Sequence, residues 1–316
     1  PWGFDLGGDR RRTANDPSLT EGGDKHIGSR DPVLKRHPPG LGPDQRLASL
    51  GGGLGVVKLD RHDHDVGGTD GGGIVGGLGI NVAHELGHAY FDLPDLYDTS
   101  AIGAGIGYFG LMGSGAWGKK SSSEKSGTTP IHLSAWSKEK IGACVPQTVD
   151  NGTNNIILPA VYQSITDAAS CGIYKASTST SGEYFLFENR SPGGYDEGLY
   201  YKILRGSTNY AAGSTYYTGG VAIWHVKDIL SSCSNVSTNN CEVQSPKLLD
   251  LEESNDADLD NGSSKGRTTH LFYSGNSVTF DNSSTPNSKL YDNSSSGISA
   301  TSISTAGDSM TLTISK

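Results

Sequence analysis

The hydrophobic pattern changes character along the chain. Residues 1–73 show no sustained period of 2 or 3.6 in their apolar positions, so no amphipathic helix is predicted there; short strands near Gly55-Val56-Val57-Lys58-Leu59 are the only local signal. From Ile74 the pattern turns helical. Ile80, Ala83 and Gly87 recur at spacings of three and four, as do Val75 and Leu78, which predicts one helix over 74–91 with a single packed stripe. A loop of Gly and small residues follows from Pro94 to Lys125, and a short helix is predicted over 133–141 with Ala135, Trp136 and Ile141 as its packing residues. After Cys144 come short β-branched and aromatic runs between turn clusters: Tyr184–Glu188, Val221–Val226 and Ser309–Ile314. The reading is α+β: a helix-bearing region over 74–143 and a β-rich region over 144–316, with no internal repeat.

Composition sharpens this division. The 316 residues carry 34% hydrophobic side chains, enough to bury a sizeable core. The net charge of -9 and the lack of a basic stripe argue against a nucleic-acid partner, and no apolar run reaches the roughly 20 residues needed to span a bilayer. Residues 1–73 are dense in Gly, Arg, Asp and Pro and hold neither Tyr nor Cys. They offer too few apolar side chains to offset an ordering entropy of roughly 1–2 kcal/mol per residue, so the segment is expected to be poorly structured. The chain starts at Pro1 and is read as a fragment or a processed form.

The four cysteines, Cys144, Cys171, Cys233 and Cys241, imply two disulfides and an oxidising compartment. Of three connectivities, closeness in sequence favours Cys233–Cys241, leaving Cys144–Cys171. Asn-x-Ser/Thr sequons at Asn151, Asn189, Asn235, Asn261, Asn282 and Asn293 fit a secreted chain, but a Ser-rich sequence produces many by chance.

The chemistry centres on His84-Glu85-Leu86-Gly87-His88. Histidines at i and i+4 share one helix face a turn apart, so their imidazoles can hold one Zn²⁺; a Glu directly after the first can take a proton from water activated there. This His-Glu-x-x-His pattern is expected by chance only about 0.008 times in such a composition. A catalytic zinc needs a third protein ligand and one open position. Asp92, Asp95, Asp98 and His132 are the downstream candidates. Asp95 is preferred because the Pro94 step breaks the helix and can swing a carboxylate back; His132 and Asp98 stand behind it.

These residues, followed by Leu93-Pro94-Asp95-Leu96-Tyr97-Asp98, Leu111-Met112-Gly113-Ser114-Gly115-Ala116-Trp117, His132-Leu133-Ser134-Ala135-Trp136-Ser137-Lys138 and Glu183-Tyr184-Phe185-Leu186-Phe187-Glu188-Asn189-Arg190, resemble the immune inhibitor A family of secreted bacterial metallopeptidases. Gly220–Val226, Asp250–Glu253 and Pro286–Ser288 continue the likeness in order over roughly 74–316. The resemblance implies a metzincin-like zinc endopeptidase acting on proteins or peptides, with His84 and His88 as ligands, Glu85 as general base, and Met112 as the Met-turn beneath the metal. Two departures stand out. Phe91 occupies the position where the family commonly has Gly, and Asp95 lies seven residues after His88 instead of six. Residues 1–73 also do not read as able to supply the strands and backing helix such a fold needs upstream, so they are expected not to be the family's true sequence. In that case the alternative is a catalytically impaired, zinc-stabilised β-rich binding module.

Asp256, Asp258 and Asp260 alternate along one loop and are candidate Ca²⁺ ligands; Arg267 at the twelfth position rules out an EF-hand. Glu188, His225 and Asp250 are read as structural, and Ser114 lacks a nucleophile-elbow setting.

Overall fold

The computed structural model describes residues 74–98, 103–164, 168–205, 219–228, 246–254, 258–261 and 264–316. All of them fall in one compact unit, Leu41–Lys316. The expectations for residues 1–73, for Cys233–Cys241, and for Asn235 and Asp256 lie outside the described residues.

The first element is helix α1, Ile74–Phe91, with the predicted bounds. Helix α2, Ala135–Lys140, starts two residues later than predicted, because the Ser134 hydroxyl accepts from the Ser137 N–H and caps it. Among the described residues eight strands follow: β1 Gln147–Thr148, β2 Thr153–Pro159, β3 Tyr174–Ser177, β4 Glu183–Asn189, β5 Val221–Lys227, β6 Leu249–Leu251, β7 Ser299–Thr301 and β8 Ser309–Ser315. Between them lie α3, Val161–Ser164; α4, Glu197–Arg205; and α5, Asp258–Asn261. The architecture is mixed α+β, as the sequence pattern predicts.

Five strands form one sheet in the order β1-β3-β4-β5-β6, antiparallel except for the parallel β1–β3 edge; β2-β8-β7 form a second, antiparallel sheet. Strand β4 is buried at every position, so its sheet is covered on both faces. The period of two sorts its residues between two cores. Tyr184 and Leu186, with Ala222, Trp224 and Val226 of β5, face a core that includes Leu93, Leu96, Phe109, Met112 and Trp136. Phe185 and Phe187, with Val221 and Ile223, face the second sheet through Ile156, Leu158, Met310, Leu312 and Ile314. The five-stranded sheet is thus the middle layer, and the segments around α1 lie on one face of it.

Cys144 and Cys171 form a disulfide with a Cα–Cα distance of 5.4 Å, matching the expected pairing of these two. It joins the end of α2 to the start of β3. The sequon at Asn189 is corrected: this residue is fully buried and its side-chain amide donates to the Leu158 and Gly307 carbonyls, so it cannot accept a glycan.

Candidate metal centre

Helix α1 presents His84 and His88 on one face, and two loops fix their rings. The Nδ1–H of His84 donates to the Leu111 carbonyl at 2.9 Å, and that of His88 to the Leu93 carbonyl at 2.6 Å. A carbonyl oxygen can only accept, so the protons sit on Nδ1 and both Nε2 atoms point at a common spot. The two Nε2 atoms are 3.1 Å apart.

Asp95 comes back to the same spot. The helix ends at Phe91, and Asp92 takes the left-handed conformation with φ 53, its N–H reaching the His88 carbonyl at 3.1 Å. Asp tolerates this region better than most residues with a side chain. The Asp95 carboxylate lies 2.9 Å from His84 Nε2 and 3.0 Å from His88 Nε2 through the same oxygen. Its other oxygen accepts from the Tyr97 hydroxyl at 3.1 Å. Burial pushes the Asp95 carboxyl up, but when the two imidazoles carry a second proton on Nε2 their hydrogen bonds and charges outweigh that and hold it well below the usual carboxylate range. Burial and the nearby carboxylates of Asp95 and Glu85 push the Tyr97 phenol up, so it remains a donor.

The donor set fits a cation. With the imidazoles neutral, two Nε2 lone pairs and a carboxylate oxygen converge with no proton donor among them, an arrangement that a cation satisfies. His84, His88 and Asp95 are the group of such side chains, among the described residues, that can hold a metal ion. A metal held by these three groups would keep a position open, as catalytic centres do and closed structural ones do not.

Met112 lies fully buried against the ligand helix. A Cβ on Gly87 would stand 2.6 Å from its Sδ, so Gly87 is the residue that lets the thioether approach. The Met112 carbonyl accepts from the Leu96 N–H at 2.8 Å, tying this loop to the segment that carries Asp95. Glu85 is half-buried beside His84, near enough for its charge to act on His88 and Tyr97.

The other candidates go elsewhere. Asp92 is exposed, and the Asp98 carboxylate caps the Gly103 N–H at 2.5 Å. His132 is buried away from the centre, against Tyr195 and beside Asp196, Lys138, Arg190 and Glu188. Asp258 opens α5, and Asp260 forms an ion pair with Lys247. Glu188 is buried in ion pairs and His225 is buried in a hydrogen bond with Glu183, as expected of structural groups. Tyr97 is a contributor the sequence reading did not single out, although Asp-x-Tyr directly after a helix-breaking Pro was visible.

A His-Glu-x-x-His helix with a carboxylate returning from the next loop defines a centre of the metallopeptidase class. Residues 58–145 match the family described as immune inhibitor A peptidase M6, catalytic domain, and the family this chain resembles is the immune inhibitor A peptidases. The match covers α1, the Met112 loop and α2, and it begins upstream of the described residues. No curated protein matches the chain.

Proposed function

We propose that this chain is a secreted zinc-dependent endopeptidase of the metzincin type. The observation that carries this reading is the convergence of His84 Nε2, His88 Nε2 and Asp95 Oδ1 within 3.1 Å of one another on a helix that also bears Glu85. Imidazole and carboxylate donors suit zinc, and His84, His88 and Asp95 would hold it. When bound, zinc supplies Lewis acidity, polarising the scissile carbonyl and acidifying the attacking water. Glu85 accepts the proton of that water and passes it to the leaving amine. The Leu111 and Leu93 carbonyls keep both imidazoles in the tautomer that bares Nε2, and Tyr97 keeps Asp95 turned towards them. The Cys144–Cys171 bridge supports an oxidising, extracellular setting.

The test is zinc content and peptide turnover of wild type and E85Q. Both proteins are expected to hold one zinc per chain, with turnover at least about 10²-fold lower in E85Q. Zinc bound with no turnover in either protein would favour the non-catalytic module, and the absence of bound zinc would remove the metallopeptidase reading.

A further inference from the structure

Against the Met112 loop lies a set of buried charges. Arg190, just after β4, is fully enclosed. Its guanidinium makes a two-pronged contact with Asp196, Nε to Oδ2 at 2.7 Å and Nη2 to Oδ1 at 2.7 Å. Its Nη1 donates to the Phe109 carbonyl at 2.5 Å and to Glu188 at 3.1 Å. Glu188 also accepts from Lys138 of α2 at 2.9 Å and from the Trp224 indole of β5 at 3.0 Å. Two cations and two anions balance. A buried ionic set of this kind is seldom more stabilising than apolar side chains of the same volume, so stability alone does not account for it.

Its position gives the account. Phe109 stands three residues before Met112, and the loop between them is tightly cross-bonded. The Gly110 carbonyl accepts from both Gly113 and Gly115, and Leu111 N–H donates to the His132 carbonyl. From this loop the Leu111 carbonyl holds His84 Nδ1, Met112 Sδ packs on Gly87, and the Met112 carbonyl holds the Leu96 N–H beside Asp95. Arg190 is the one member of the set whose donor reaches the loop backbone.

We infer that Arg190 is a positioning residue for the metal centre: through the Phe109 carbonyl it fixes the 109–112 loop, and through that loop the orientation of His84 and the floor under both histidines. The inference rests on the metallopeptidase reading. The planar fork is essential, because a lysine ammonium carries the charge but cannot serve Asp196 from two atoms and Phe109 from a third.

The experiment compares wild type, R190K and D196N by thermal melting of the metal-free proteins, by zinc affinity in competition with a chelator, and by the visible absorption spectrum after cobalt(II) loading. R190K is expected to fold, to bind zinc about 10–100-fold more weakly, and to show an altered cobalt spectrum. D196N, which keeps the arginine but loosens its fork, is expected to shift in the same direction; it decides the matter should R190K not fold. Variants that melt lower yet keep wild-type zinc affinity and cobalt spectrum would overturn the inference and leave the proposed function standing. Wild type that binds no zinc would overturn both.

Discussion

At the scale of single residues, the structure separates two kinds of histidine. His84 and His88 each have one ring nitrogen tied to a carbonyl and the other turned to a shared point. His132 is buried with an Nε2 that has no hydrogen-bond partner among the described residues, and burial, only partly offset by the nearby Asp196, pushes its pKa down to about 3. Between that value and the ordinary 6.5, the unfolded chain binds a proton that the folded one does not. Stability from this residue is therefore complete above about pH 6.5 and is lost as pH falls towards 3. We expect the urea midpoint of metal-free wild type to fall between pH 7 and pH 4, and that of H132Q to fall less; parallel curves would show that another group controls the acid limb. The sequence made His132 a competitor for the metal, since a histidine downstream of the helix has the right chemistry. Which way its ring points depends on the packing of α2 and β4 residues around it, and no local pattern encodes that.

At the scale of elements, α1 is the informative case. Its sequence contains four glycines, Gly76, Gly77, Gly79 and Gly87, each costing roughly 1 kcal/mol relative to alanine in a helix interior. Propensity alone argues against a helix here, and the 3.6 period of its apolar residues predicts one correctly. Gly87 has a tertiary reason for its place, the 2.6 Å approach of Met112 Sδ to the space a Cβ would fill. G87A is accordingly expected to lower the melting point and cost about 1–3 kcal/mol in a denaturant titration, despite alanine's better propensity. A gain in stability would mean that the thioether moves aside freely. The strands β4, β5 and β8 were legible within a residue or two, because β-branched and aromatic runs between turn clusters leave few alternatives. The start of α2 was read two residues early, because Ser134 acts as a cap and Leu133 packs outside the helix.

At the scale of the whole molecule, the described segments around α1 and the β-rich segments draw on one continuous core, with Leu93, Met112 and Trp136 against Leu186 and Trp224. The Cys144–Cys171 bridge fastens the chain just after α2 to the start of β3 across 27 residues of sequence. A loop of that size is worth about 3–4 kcal/mol of unfolded-state entropy. The double variant C144A/C171A should therefore unfold at lower urea with a loss of about 3 kcal/mol, and an unchanged midpoint would show that the core alone holds the layers together. The sequence by itself determined that His84 and His88 share one helix face with Glu85 beside them, because residues four apart on a helix are neighbours whatever surrounds them. It also determined the α+β pattern, through the periods of 3.6 and 2. Only the tertiary structure brought Asp95, the candidate the sequence favours, against both imidazoles and sent Asp98 and His132 elsewhere, gave Asp92 its left-handed turn, seated Met112 on Gly87, and gathered Lys138, Glu188, Arg190 and Asp196 into one buried set. Those outcomes depend on which segments meet after the chain has crossed the sheet, and contacts between residues distant along the chain leave no periodic trace in its sequence.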